Sequence, residues 1–139
     1  ADRVEAARRH WNAGDLEACL TLYDPAIRLY GLAPHPLDRA AVHDFCRTTW
    51  QSLGAEGRDG PDLTFFETLE DGDLYACRLR MSGIHRGAFL GVAATGRAYA
   101  LDGITTMRFR PDHQAVLERH VTADMLGPLT QIGALPPLA

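Results

Sequence analysis

No stretch of this 139-residue sequence is apolar for long enough to cross a bilayer, which takes roughly 20 residues. The opening Ala1-Asp2-Arg3-Val4-Glu5 has no signal-peptide core, and without an initiating Met the N-terminus is expected to be processed or trimmed. Positive charge is short. The net charge of −4 gives no basic field for a polyanion, so neither nucleic acid nor membrane is expected as a partner. Cysteine is scarce and odd in number: Cys19, Cys46 and Cys77 form no CxxC pair and no zinc-spaced cluster. They read as reduced small hydrophobes in a cytoplasmic protein, with no metal site and no disulfide framework.

What is present is a core. Hydrophobic residues make up 46% of the sequence, which excludes disorder, and the length suits one domain over 1–139. Val4, Ala7 and Trp11 share one face of a helix over 4–11. Asn12-Ala13-Gly14-Asp15 stops it and caps a second helix over 16–23, ended by Asp24-Pro25. Residues 26–30 alternate as a short strand. After a proline-bearing loop over 31–36, Asp38 caps a third helix reaching about Leu53, with Val42, Phe45, Thr49 and Leu53 inward. The glycine-rich stretch over 54–61 reads as a flexible loop. The period then changes from 3.6 to 2. Strands over 63–69 and 74–82 join through Asp71-Gly72, strands over 97–109 and 115–123 join through Pro111-Asp112-His113, and a short helix follows Asp124. Helices first and antiparallel hairpins afterwards predict an α+β fold with segregated layers. Helices laid over a curved sheet enclose a cone, and its interior is the natural ligand site.

The last strand carries the most chemistry. Side chains alternate faces, so Glu118, His120, Thr122 and Asp124 share one side and Leu117, Arg119, Val121 and Ala123 the other. Periodicity alone leaves two readings of the polar side. It is the solvated face of an edge strand, or it points into the cone, where desolvation raises a carboxylate's pKa towards that of a useful base.

Several segments bear on that choice. Gly83-Ile84-His85-Arg86-Gly87-Ala88-Phe89-Leu90-Gly91, followed by Thr95-Gly96-Arg97, resembles the "GxHxGxFxGxxxTGR" signature of SnoaL-like polyketide cyclases, or ester cyclases, of the NTF2-like superfamily. Asn12-Ala13-Gly14-Asp15 is similar to that family's "NxGD" turn, and Pro61-Asp62-Leu63 to its "PDL" strand opening. The segment from Asp124 to Gly133 resembles the closing "D-xx-GLLxQLG". The resemblance implies an NTF2-like cone that acts without a cofactor on a small hydrophobic polyketide-like substrate. It also implies Asp124 as the catalytic acid/base at the pocket's centre, Glu118 beside the substrate, and a homodimer. His120 stands where the family often has Trp; a Trp would pack on a flat aromatic substrate, whereas a His can bind or carry a proton.

One tuned carboxylate suffices to deprotonate a methylene between two carbonyl groups, whose enolate then attacks a carbonyl of the same molecule. His120 or His85 is the candidate oxyanion donor. An alternative closes an oxygen ring, with Asp124 and His120 assisting a hydroxyl. His85, flanked at two residues by glycines, reads equally as a hydrogen-bonded strand-end histidine. His10, His35, His43 and His113 read as surface or loop residues. Tyr30, Trp50, Phe89 and Met107 read as core, or in a cone as core and ligand wall together. Arg78, Arg80 and Arg108 belong to the outer face, and Leu117, Val121 and Ala123 are the apolar candidates for pairing two copies there. The competing functions are a non-catalytic ligand-binding or dimerisation module, and an isomerase, dehydratase or hydroxylase-like relative on the same fold.

Overall fold

A computed structural model describes residues 2–54 and 60–137. The elements run α1 (Asp2–Asn12), α2 (Leu16–Leu20), β1 (Tyr23–Tyr30), α3 (Arg39–Ser52), β2 (Asp62–Asp71), β3 (Leu74–Ile84), β4 (Ala98–Phe109), β5 (Val116–Ala123) and α4 (Leu126–Gln131). The five strands make one open mixed sheet in the order β1-β5-β4-β3-β2, with β1 parallel to β5 and every other pair antiparallel. This is the expected α+β architecture, with the helices segregated on one sheet face.

The helix starts follow the expected capping chemistry. Asp15 accepts a hydrogen bond from the Ala18 amide at 3.1 Å, and Asp38 from the Ala41 amide at 2.9 Å. The second helix stops at Leu20, short of Tyr23, because the Val116 amide takes the Leu22 carbonyl and Tyr23 enters the sheet opposite Val116. Asp24-Pro25 therefore lies inside β1, where the register is irregular between Tyr23 and Arg28. An edge strand tolerates proline at such a break. Most of the loop expected over 54–61 lies outside the described residues.

The core sits between sheet and helices. Val4 and Ala7 of α1, Leu20 of α2 and Val42 of α3 meet Tyr75, Cys77, Met107 and Val116 of the sheet. Along β3 and β4 the odd-numbered residues from Tyr75 to Leu79 and from Tyr99 to Phe109 point to this side, apart from Gly103. The even-numbered ones point away, and there Arg78 pairs with Glu67, Arg80 with Asp102 and Arg108 with Asp73. The outer, solvated placement of those three arginines is as expected.

The glycine-spaced segment at the end of β3 fastens α3 to the sheet. A Cβ on Gly83 would lie 2.2 Å from the Gly54 carbonyl oxygen, and one on Gly87 would lie 3.1 Å from the Ser52 Cα. With no side chain at either place, the Arg86 and Gly87 amides both reach the Ser52 carbonyl. At the other end Gln131 holds α4 against β4, its amide oxygen accepting from the Ala100 N–H at 2.6 Å.

Candidate functional site

A cavity of about 240 Å³ lies between the inner sheet face and the helices. At about 30 Å³ per water it has room for roughly eight. Its walls are mainly apolar: Leu79, Leu101 and Met107 from the sheet, Val42 and Phe45 from α3, and Phe89 and Leu90 from the segment after β3. Phe89 and Met107, both read from the sequence as core or ligand wall, are among the lining residues.

β5 shows the cavity the face opposite to the one expected. Arg119, Val121, Ala123 and, just past the strand, Met125 line it. Cross-strand partners share a face, and the register pairs Arg119 with buried Met107 and Val121 with buried Thr105. Glu118, His120 and Thr122 must then point outward, and all three are exposed. His120 Nε2 meets Glu118 Oε1 at 2.7 Å, and the His120 ring stacks on Tyr30 with centroids 4.6 Å apart and planes 7° apart. Glu118, His120 and Tyr30 form a cross-strand cluster on the outer face, away from the cavity wall.

Asp124 is exposed as well. Its carboxylate accepts the Gly127 amide of α4 at 3.1 Å, where the helix dipole favours negative charge. His120 is four residues back along the chain, about 13 Å at strand rise, so no imidazole adjoins this carboxylate through it. The expectation that Asp124 sits at the pocket's centre is corrected: Ala123 and Met125 on either side line the cavity, and Asp124 does not. Trp50 packs elsewhere, its indole N–H donating to the Trp11 carbonyl at 3.2 Å. The copy-pairing surface sketched from Leu117, Val121 and Ala123 also changes, since Val121 and Ala123 face the cavity.

His85 is fully buried and organises the segment between β3 and β4. Its amide donates to the Arg97 carbonyl and its carbonyl accepts from Gly96. Nδ1 accepts the Thr95 amide at 3.2 Å and meets Thr95 Oγ1 at 2.9 Å. With Nδ1 an acceptor, the proton belongs on Nε2, which is buried with no hydrogen-bond partner among the described residues. The residue does not line the cavity.

The polar groups that do line it were missed by the sequence reading. Arg119 is half-buried; its Nη1 donates to the Tyr23 hydroxyl and its Nε to Thr105 Oγ1 at 2.9 Å. Thr105 Oγ1 in turn donates to the His120 carbonyl at 2.8 Å, so its only proton is committed and its oxygen is fixed to receive the arginine. Burial pushes the Tyr23 hydroxyl above its ordinary pKa, Arg119 pulling back only in part, so the phenol stays protonated at neutral pH. The available signal was an arginine on a strand face otherwise made of Leu117, Val121 and Ala123. Cys19 and Cys46 also line the cavity, and burial raises their thiols to about 12 and about 11, far from thiolate at neutral pH. Among the described residues no group of three or more His, Cys, Asp or Glu is placed to hold a metal ion, and no helix is long and apolar enough to cross a membrane.

The whole arrangement matches solved structures over nearly its full length. AclR of Streptomyces galilaeus, a candidate hydroxylase, superposes with a TM-score of 0.85 at 20% identity, covering 99% of this chain and 83% of its own. TsrD of Streptomyces laurentii gives 0.81 at 23% identity, covering 96% of this chain and 94% of that one. IdmH of Streptomyces antibioticus, a candidate polyketide cyclase, gives 0.76 at 26% identity, covering 95% and 96%. No curated protein matches the sequence. The family model described as SnoaL-like polyketide cyclase matches residues 1–132, and the chain belongs to that family.

Proposed function

We propose that this protein is a cofactor-free cyclase that closes a ring in a small, largely apolar polyketide-type intermediate held in the inner cavity. The observation that carries the reading is the cavity itself: a partly open, mostly apolar hollow with a few polar groups, in a chain of the cyclase family. Such walls fold a flexible chain so that its reacting carbons meet, which supplies much of the acceleration in an intramolecular reaction. A base removes a proton from a methylene between two carbonyls, the enolate carbon bonds to a third carbonyl carbon of the same molecule, and that carbonyl oxygen takes up a proton. Carbon and oxygen leave in the same numbers as they arrived.

Asp124 is the proposed proton carrier, acting where β5 leaves the cavity wall and drawing the reacting methylene towards that end. Its match to the family's closing motif supports the assignment, and its exposed carboxylate lies at the end of β5 next to the wall formed by Ala123 and Met125. Asp124→Asn tests it cleanly, because asparagine still accepts the Gly127 amide and leaves the helix start intact. Purified protein is given a linear poly-β-ketone precursor and ring formation is followed by absorbance and mass. The expected result is cyclisation by the native protein and a loss of about 100-fold or more in the variant, with an unchanged unfolding midpoint. Retained turnover in the variant removes Asp124 from the mechanism. Saturable binding without turnover by the native protein leaves the ligand-binding module instead.

A further inference from the structure

Two arginines line the cavity among the described residues: Arg8 is paired with Glu5, whereas Arg119 has no carboxylate partner there. Arg119 carries five N–H donors on an always-charged guanidinium, and the two donors engaged here rest on neutral hydroxyls, those of Tyr23 and Thr105. Among the described residues no Asp or Glu lines the cavity, and no carboxylate contributes to the electrostatic surroundings of this guanidinium. A charge withdrawn from water is costly unless an opposite charge or a full set of acceptors meets it. Neighbouring geometry is equally incomplete. Tyr23 accepts from Arg119 through its oxygen, so its own proton remains free to donate, and a phenol that receives a hydrogen bond from a cation becomes the stronger donor. Arg119 and Tyr23 both face the cavity, whose remaining walls are mainly apolar, with Arg8 and Thr49 as further polar side chains on them.

We infer that Arg119 and the Tyr23 hydroxyl form a binding site for an anionic oxygen, a carboxylate or the ionised enol of a 1,3-dicarbonyl, borne on an otherwise apolar ligand. The inference rests on the reading of the cavity as the ligand site, and it narrows the substrate class to acidic molecules with a hydrocarbon-like body. Thr105 is a positioning residue: tied to the His120 carbonyl, it holds the guanidinium through Nε beside the cavity wall. An enolate formed during ring closure presents the same charge to the same donors.

Calorimetric titration of the whole protein with 2-naphthoate and its neutral isostere 2-naphthamide tests the site. A second pair, dimedone at about pH 7.5, where it is largely ionised, and its methyl enol ether, separates an enolate from a carboxylate as the preferred anion. The expected result is at least about tenfold tighter binding of one anion than of its neutral counterpart, falling to within about twofold in Arg119→Met. Should that variant fail to fold, the Arg119 side-chain N–H resonance of the native protein is read instead, and it should move with the anion and stay with the neutral analogue. Equal affinity for charged and neutral probes, a preference that survives in Arg119→Met, or an unmoved Arg119 resonance overturns the inference and leaves the cavity reading standing. Absence of saturable binding by every probe overturns both.

Discussion

Burial fixes the chemistry of single side chains here more firmly than residue type does. Cys19 and Cys46 sit on the cavity wall with thiols raised to about 12 and about 11, the desolvated thiolate being the disfavoured form. Rises of about three units for Cys19 and about two for Cys46 leave roughly 1000-fold and 100-fold less thiolate at neutral pH than an exposed cysteine has. Iodoacetamide should therefore modify both at least about 100-fold more slowly in the native protein than in urea, and still more slowly when a ligand fills the hollow. Intact-mass analysis over time checks this, and equal rates in both states would show the thiols to be open to solvent. The same contrast separates His85 from His120: one is wholly buried and tied to Thr95, the other exposed and stacked on Tyr30. The sequence shows two histidines near glycines or carboxylates; only packing separates a loop anchor from a surface residue.

Among the elements, the segment between β3 and β4 is held by backbone hydrogen bonds around His85 and by the Thr95 hydroxyl. Thr95 Oγ1 meets His85 Nδ1 and also accepts the Arg97 amide at 3.3 Å. Thr95→Val keeps the shape and removes both contacts, which should cost about 1–3 kcal/mol and speed amide exchange at His85 and Gly96. Hydrogen-exchange mass spectrometry and urea unfolding read the two effects, and an unchanged variant would contradict the anchoring role. Element identities and caps were legible because they depend on local chemistry: Asp15, Asp38, Asp71-Gly72 and the hairpin turn after Arg110 all act within a few residues. The facing of β5 was not legible. Phe109 pairs with Val116, but Arg108 pairs with Glu118, so one extra residue is spent across Leu117. Such a bulge reverses which side chains share the buried face for the rest of the strand, and nothing in the period-2 pattern announces it. Without it, Glu118 and not Arg119 would stand opposite Met107.

Taken as a whole, the molecule is a sheet with a charged outer face and an apolar inner face roofed by helices, and its ligand chemistry follows from which face of β5 looks inward. The family, the layer order and the presence of a hollow follow from motif order and patterning. The polar pair of Tyr23 and Arg119 joins residues 96 positions apart through a parallel β1–β5 contact, which no local signal encodes. Two neighbouring substitutions test the account most directly. Ala123→Phe puts a ring into the cavity from its own wall, while Thr122→Phe puts the same ring on the outer face beside exposed Ile104. With both variants shown to be folded by their thermal transitions, the account predicts that 2-naphthoate binding falls by about tenfold or more in Ala123→Phe and stays within about twofold of native in Thr122→Phe. The reverse pattern, binding lost from the outer substitution and kept with the inner one, would contradict it.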